Sequence, residues 1–304
     1  MMRLPKPLQK GDHIQIVAPA KRIEASHVLL AKETLEKEGF EVSISEHCLG
    51  GHNYFSGTIS ERLSDLQSAL DNPEVDAVLC ARGGYGCVQL VDELDWSKFD
   101  ANPKWIIGFS DVTVLHQRLQ SKQVGSIHGT MPLNFADHSA EALTTLLSAL
   151  KGKSYSIQAP VSLQNIKGST KGTLIGGNLA IIASLIGTND QPDFSNSILF
   201  IEEVGEPLYS IDRMLYSLKK AGILNQLKGL VVGGMTSMKD SEIPYGSTLE
   251  EIITTHTKGL DIPVGFNFPA GHIDDNRALI FGATAQLSID SKSSTLLIAA
   301  QHND

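Results

Sequence analysis

The sequence has few cysteines, no excess of basic charge and no common metal-binding motif. Its three cysteines, Cys48, Cys80 and Cys87, are an odd number with no Cys-x-x-Cys pair, which excludes a disulfide framework and a zinc knuckle. The formal net charge of −9 provides no basic footprint for nucleic acid. Since His-Glu-x-x-His is also missing, we expect neither a metal nor a cofactor.

Long apolar runs are also lacking, which excludes a membrane-spanning helix. Residues 1–12 carry three basic side chains and two prolines, where a signal peptide would have an apolar segment. We therefore expect a cytoplasmic protein that does not associate with membranes. The cysteines would then be reduced thiols in or near the core.

The remaining composition is that of a folded chain of more than one domain. The 304 residues are 41% hydrophobic and 19% charged, which is ordinary for a globular protein and too apolar for a disordered one. This length exceeds a typical single core, so two domains are expected.

Strand-like apolar runs alternate with helical patterns in the first half of the chain. The predicted strands are residues 13–18, 40–45, 75–81 and 105–109, with helices at 25–39, 59–70 and 112–120. This order is typical of an α/β fold with a mostly parallel sheet flanked by helices. Ligands bind such sheets outside the carboxyl ends of the strands.

A polar, weakly patterned stretch divides the chain. We predict an N-terminal α/β domain at residues 1–151, a linker at 152–171 and a smaller C-terminal α/β domain, rich in β-structure, at 172–304. The predicted elements of the last part are helices at 179–186 and 207–221, strands at 197–202, 229–232 and 263–268, and a hairpin over 278–300.

Ser110 is the first candidate catalytic residue. Gly108-Phe109-Ser110 ends an apolar run and a helical pattern follows directly, as in the strand-to-helix turn that exposes a nucleophilic serine. The alternative is a serine that only caps the helix. A serine nucleophile also needs a base and an orienting carboxylate.

The candidate base is His272, in a turn-rich loop after a strand-like run, and its alternative is a surface histidine. We expect His116 to be packed or solvated, and His128 remains a candidate for lining the site.

The candidate acid is Glu202 or Glu203, at the end of an apolar strand. Because side chains alternate along a strand, only one of the two acids meets His272. The other reading is a strand end that reaches solvent.

Glycines 83, 84 and 86 form the last candidate motif, within Ala81-Arg82-Gly83-Gly84-Tyr85-Gly86. Glycines allow backbone N–H groups to approach an oxyanion or a carboxylate closely. The spacing does not fit a dinucleotide fingerprint or a phosphate-binding loop. A tight turn without a binding role is the alternative.

Together these motifs resemble the LD-carboxypeptidase family of serine peptidases, which includes muramoyltetrapeptide carboxypeptidase and the microcin C self-immunity protein. The resemblance spans nearly the whole chain and also rests on Gly176-Gly177-Asn178-Leu179, Ile211-Asp212-Arg213 and Gly271-His272. It implies Ser110 as nucleophile, His272 as base and Glu202 as its orienter. It further implies an oxyanion hole from the backbone of Gly83, Gly84 and Asp111, and a homodimer.

The chain departs from the family pattern at two points. It has Glu202-Glu203 where Glu-Asp is frequent, and His128-Gly129-Thr130-Met131 where His-Gly-Pro-Met is frequent. The chain length favours the carboxypeptidase branch over the immunity branch.

The resemblance implies release of the terminal D-alanine from a murein tetrapeptide through an acyl-enzyme, in cell-wall recycling. Binding the substrate carboxylate requires a local cation on an acidic protein, for which Arg82 and Arg213 are the candidates, unless they form structural ion pairs. The alternatives are an immunity-type peptidase that cleaves aminoacyl-nucleotide amides and an α/β-hydrolase-like esterase. In the esterase a small residue would be usual where Val112 stands. A two-domain binding protein and a metallopeptidase fit the sequence less well.

Overall fold

The first half of the chain alternates strands and helices. The computed structural model describes residues 2–300. In chain order this half contains β1 (His13–Val17), α1 (Ala25–Lys37), β2 (Glu41–Ile44), α2 (Ile59–Asp71), β3 (Ala77–Cys80), α3 (Ser97–Ala101), β4 (Trp105–Gly108), α4 (Thr113–Ser121), β5 (Ser126–His128) and α5 (Ala140–Leu150).

The second half is richer in strands. It contains β6 (Tyr155–Ala159), β7 (Gly168–Asn178), α6 (Leu179–Ser184), β8 (Ser197–Val204), α7 (Leu208–Lys220), β9 (Gly229–Thr236), α8 (Leu249–Thr257), β10 (Val264–Gly265), β11 (Leu279–Phe281), β12 (Thr284–Ile289) and β13 (Ser294–Ile298).

The first sheet has six strands in the order β11-β5-β4-β3-β1-β2. All neighbours are parallel except β11, which runs antiparallel to β5. Every residue of β3 and β4 is buried, as expected for central parallel strands covered on both faces. The predicted α/β class with a mostly parallel N-terminal sheet is confirmed.

The second sheet has seven strands in the order β10-β9-β8-β7-β12-β13-β6. Strands β7 to β10 are parallel, and β12, β13 and β6 are antiparallel to their neighbours. The stretch 152–171, predicted as a linker, contains β6 and the first residues of β7. Most residues of this stretch are exposed at the surface, which explains why its side chains are polar although it forms strands. The domain boundaries themselves stay a prediction.

The last part of the chain contributes to both sheets. Within the predicted hairpin 278–300, β11 joins the first sheet, whereas β12 and β13 form a hairpin inside the second sheet, between β7 and β6. The predicted strand 263–268 is reduced to β10. One continuous apolar core includes Leu79 and Ile107 of the first sheet and Phe200 and Leu287 of the second. The two sheets therefore pack as one body, which holds residues from both in fixed relative positions.

The three cysteines are buried free thiols. No helix within residues 2–300 combines the length and the apolar character needed to cross a membrane.

Candidate active site

Ser110 lies in a strained turn between β4 and α4. Its φ angle is +63°, in the left-handed region that residues with a Cβ rarely adopt. Phe109 before it is extended, and residues Ser110–Val112 form a short 3-10 turn that leads into α4. Such strain in a non-glycine residue persists only where the surrounding structure imposes it, and it is common at functional sites. The turn presents the serine at the carboxyl end of β4.

Three side chains form a hydrogen-bonded chain at this point. Nε2 of His272 lies 3.1 Å from Oγ of Ser110, and Nδ1 of His272 lies 2.6 Å from Oε2 of Glu202. Glu202 is fully buried near the end of β8 in the second sheet, whereas Ser110 follows a strand of the first. The structure therefore brings together the predicted nucleophile, base and acid from three distant parts of the sequence.

Gly271 allows the close approach of the histidine loop to the acid. Its φ is +107°, and a Cβ built on it would lie 2.7 Å from Cβ of Glu202 and 2.9 Å from Oε2. Its N–H donates to Oδ1 of Asn276 at 2.7 Å, which closes the turn that carries His272. A side chain at this position would therefore clash with Glu202.

The surroundings of His272 shift its pKa in two opposing ways. Burial lowers the pKa of His272, but the hydrogen bond and charge of Glu202, with a contribution from Glu203, raise it above its usual value overall. A base of raised pKa accepts the serine proton more readily, and the buried carboxylate stabilises the imidazolium that results.

Glu203 faces the opposite side of β8 and has a different set of partners. Its carboxylate accepts hydrogen bonds from Nδ2 of Asn178 at 2.8 Å, from the N–H of Ala180 at 2.7 Å and from the N–H of Val204 at 2.9 Å. Burial raises the pKa of Glu203, although these donors oppose the rise. The acceptor role at the start of α6 makes Glu203 a structural residue next to the acid of the site.

The glycine loop 83–86 packs directly on Ser110. A Cβ built on Gly83 would lie 2.9 Å from Cβ and 3.2 Å from Oγ of Ser110, and 3.2 Å from the backbone N of Asp111. Gly84 and Gly86 have φ angles of +110° and +150°, which glycine adopts without strain. The three backbone groups predicted to form the oxyanion hole, at Gly83, Gly84 and Asp111, thus belong to adjacent segments beside Ser110.

Two charged side chains hold this loop, and sequence reasoning missed both roles. The buried carboxylate of Asp111 accepts a hydrogen bond from the N–H of Cys87 at 2.9 Å. Buried Arg62 donates to the carbonyl oxygens of Pro19 at 2.7 Å and Gly86 at 3.3 Å. The available signal for Arg62 was its position on the buried face of α2, where a charge needs a specific partner.

The two other candidate histidines are fully buried. His116 lies between Ser126 Oγ at 2.8 Å and the carbonyl oxygen of Gly108 at 2.9 Å, and burial lowers its pKa to about 4. It is therefore a neutral packing residue, as expected. His128 packs against the rings of Phe109 and Phe200, with centroids 5.7 Å and 5.0 Å apart. Burial, and then the neighbouring histidines, hold its pKa well below the usual value.

The predicted substrate-binding arginines make hydrogen bonds but no ion pairs with carboxylates of residues 2–300. Nη1 of Arg82 donates to the carbonyl oxygen of Arg22 at 3.1 Å. Exposed Arg213, on α7, donates to Oγ of Ser210 at 3.1 Å and lies over the ring of Tyr209. Their charges are thus not neutralised by a neighbouring acid of the described chain.

In the part of the chain that the structure describes, no three His, Cys, Asp or Glu side chains are grouped so that they could hold a metal ion. The geometry at Ser110 meets the requirements of acyl transfer, because a serine hydroxyl, an imidazole and a buried carboxylate form one hydrogen-bonded chain beside backbone N–H groups.

Comparisons with known proteins match both halves of the chain to one family. Residues 14–129 match the LD-carboxypeptidase N-terminal domain, and residues 171–287 match the LD-carboxypeptidase C-terminal domain. The murein tetrapeptide carboxypeptidase of Pseudomonas aeruginosa is 34% identical over 287 residues, which cover 90% of this chain and 92% of that protein.

A solved structure and a more distant relative agree with this match. The crystal structure of muramoyltetrapeptide carboxypeptidase from Oxalobacter formigenes has a TM-score of 0.87 at 31% identity, covering 96% of this chain and all of that one. The Microcin C7 self-immunity protein MccF of Escherichia coli is 25% identical, covering 95% of this chain and 94% of that protein.

Proposed function

We propose a function from one premise: the chain belongs to the LD-carboxypeptidase family. The protein is a serine carboxypeptidase that releases the terminal D-alanine from murein tetrapeptides by way of an acyl-enzyme. The observation that carries this proposal is the hydrogen-bonded chain from Oγ of Ser110 through His272 to Glu202. The match to the murein tetrapeptide carboxypeptidase of Pseudomonas aeruginosa supports the substrate class.

The first half of the reaction forms the acyl-enzyme. Nε2 of His272 removes the proton from Ser110, whose oxygen attacks the carbonyl carbon of the diamino acid that precedes the terminal D-alanine. Glu202 keeps the proton of the imidazole on Nδ1, so that Nε2 is free to accept. Backbone N–H groups of the glycine loop and of Asp111 stabilise the oxyanion.

The second half releases both products. The imidazolium of His272 gives its proton to the leaving nitrogen of D-alanine, and the C–N bond breaks. Water, deprotonated by His272, then attacks the ester carbonyl. The bond to Oγ of Ser110 breaks, His272 returns the proton to this oxygen, and the tripeptide is released. Arg82 and Arg213 bind substrate carboxylates in this proposal, which agrees with their lack of acidic partners in residues 2–300.

A second candidate reaction is cleavage of the amide bond in an aminoacyl nucleotide. The similarity to the self-immunity protein of Escherichia coli favours it, and the same three side chains would perform it. Incubation with a murein tetrapeptide and, separately, with an aminoacyl-sulfamoyl adenylate distinguishes the two activities. An esterase that acts on neither compound is the remaining alternative.

Trapping of the acyl-enzyme tests the role of Ser110. Acid quenching of the wild-type protein during turnover of the tetrapeptide, followed by peptide mass spectrometry, should detect the tripeptidyl adduct on Ser110. The Ser110→Ala protein should keep its fold by circular dichroism, show no adduct, and lose several orders of magnitude in turnover. A folded Ser110→Ala protein of near-normal rate would contradict the proposal.

The cellular setting completes the proposal. The enzyme acts in cell-wall recycling in the cytoplasm, in agreement with its three free, buried thiols. It is a homodimer, for which sedimentation equilibrium is the test: a single species at the monomer mass of 32.8 kDa would contradict this part.

A further inference from the structure

Lys21 occupies an unusual position beside the glycine loop of the active site. It is half-buried, and its ammonium group has neither a hydrogen bond nor an ion pair with any residue of 2–300. In that range, every other lysine whose ammonium lacks such a partner is exposed. A half-buried cation is partly desolvated, so an anion bound next to it gains more than it would on the open surface.

The side chain of Lys21 lies along Gly84. A Cβ built on Gly84 would lie 3.0 Å from Cβ and 3.4 Å from Cδ of Lys21, and 2.8 Å from the hydroxyl of Tyr54. Gly83, the preceding residue, contacts Ser110 in the same way. Lys21 and Tyr54 therefore contact Gly84, whose Cα is about 3.8 Å from that of Gly83, the residue that packs on Ser110.

The surrounding backbone fixes this cation next to an aromatic ring. Lys21 pairs with Phe55 in an antiparallel bridge, and the N–H of Arg22 donates to the carbonyl oxygen of Tyr54 at 3.1 Å. Nζ of Lys21 lies 4.9 Å from the centre of the Tyr54 ring, and this ring is 42% exposed. The ammonium and the phenol hydroxyl therefore form two hydrogen-bond donors at the edge of the site.

We infer that Lys21 and Tyr54 form the subsite for the terminal carboxylate of the peptide substrate. This inference rests on the proposed carboxypeptidase function. The terminal carboxylate is only one residue beyond the scissile carbonyl, so its cation must lie close to the oxyanion donors. Lys21 meets this requirement through Gly84, which leaves Arg82 and Arg213 for the other carboxylates of the murein peptide. On a chain of net charge −9, such a local cation is also needed to draw in an anionic substrate.

A substrate–enzyme double cycle tests the subsite. The substrates are the free-acid tetrapeptide, the same peptide with a terminal carboxamide, and a peptide amidated only at the second carboxyl group of its diamino acid. The enzymes are wild type, Lys21→Met, Tyr54→Phe and, as a control, Lys153→Met, which alters an exposed lysine. Lys21→Met should raise KM for the free acid about ten- to a hundredfold, with a smaller change in kcat.

The pattern across substrates identifies the carboxylate. Wild type should lose the same factor on the terminal carboxamide, and Lys21→Met should no longer distinguish acid from amide. Tyr54→Phe should give a smaller effect of the same kind, and Lys153→Met none. If Lys21→Met instead loses its discrimination only against the second carboxyl group, the assignment to the terminal carboxylate is wrong. An unchanged KM in Lys21→Met overturns the subsite altogether.

Binding separates this inference from the catalytic proposal. In a Ser110→Ala background the free-acid tetrapeptide should bind, and adding Lys21→Met should weaken its affinity by the same ten- to a hundredfold, measured by calorimetry. If wild type releases no D-alanine but this binding difference holds, the catalytic proposal fails and the subsite stands. If the free acid does not bind, or binds both proteins equally, the subsite is refuted.

Discussion

Substitution by glutamine should have different effects at the two adjacent acids of β8, with a loss of turnover at Glu202 and a loss of stability at Glu203. Glu202→Gln replaces the carboxylate whose Oε2 lies 2.6 Å from Nδ1 of His272, in a fully buried side chain. A glutamine amide that donates to Nδ1 would move the imidazole proton to Nε2, where it blocks transfer from Ser110. Even with the correct tautomer, a neutral amide would no longer stabilise the imidazolium.

The expected loss for Glu202→Gln is on the order of a thousand- to ten-thousandfold in kcat. Glu203→Gln should leave kcat within about tenfold, because its carboxylate faces Asn178, Ala180 and Val204 and not His272. All three partners are donors, so an introduced NH₂ group would oppose at least one of them. The expected cost is about 1–3 kcal/mol in the free energy of unfolding.

D-alanine release at saturating tetrapeptide measures kcat, and urea unfolding followed by circular dichroism measures stability for both variants. Glu202→Gln should be the inactive variant, and Glu203→Gln should be the active but less stable one. Equal losses of kcat, or the reverse order, would refute the assignment of the acid and the strand register behind it.

Three further predictions follow from the site. The acid limb of kcat/KM should have its midpoint above pH 6.5, because the pKa of His272 is raised and only the neutral imidazole is a base. In Glu202→Gln this midpoint should move to lower pH, because the charge that raises the pKa of His272 is lost. A midpoint below 6.5 in wild type would contradict this. Gly83→Ala should lower kcat at least a hundredfold, because the new Cβ would lie 2.9 Å from Cβ of Ser110. The control is Gly187→Ala, which should lose stability only, because Gly187 has a positive φ and no neighbour within 4 Å. Turnover should survive exhaustive chelation with EDTA, and loss restored by zinc would show a metal route that the described residues do not provide.

The fold class could be predicted because hydrophobic periodicity is strong in the first half. Strand β4 and helix α4 follow directly from the apolar run before Ser110 and the helical pattern after it. Strand β7 could not be predicted in this way. Its first half, Gly168 to Gly172, is polar and rich in glycine, and it is extended because β12 pairs along it. Such pairing comes from tertiary context and leaves no local signal.

The candidate site was predictable in its residue types but not in its contacts. The resemblance implied Ser110, His272 and Glu202, and alternation along β8 separated Glu202 from Glu203. The tight packing of Gly83 on Ser110 and of Gly271 on Glu202 depends on loops far apart in sequence. The same holds for the carboxylate of Asp111, which fixes the glycine loop through the N–H of Cys87. Long-range contacts of this kind have no periodicity that a single sequence reveals.

Selectivity between two peptide bonds tests the central claim most directly. Nucleophile and oxyanion donors lie on fixed sides of the scissile carbonyl, and a misplacement of about 1 Å costs on the order of a hundredfold in rate. The measurement is D-alanine release, followed by chromatography, from a murein tetrapeptide and from the corresponding pentapeptide. The protein should release D-alanine from the tetrapeptide, where the bond joins an L-centre to a D-centre, and leave the D-Ala-D-Ala bond of the pentapeptide almost untouched. Equal release from both peptides would contradict the LD assignment, even with Ser110 as the nucleophile.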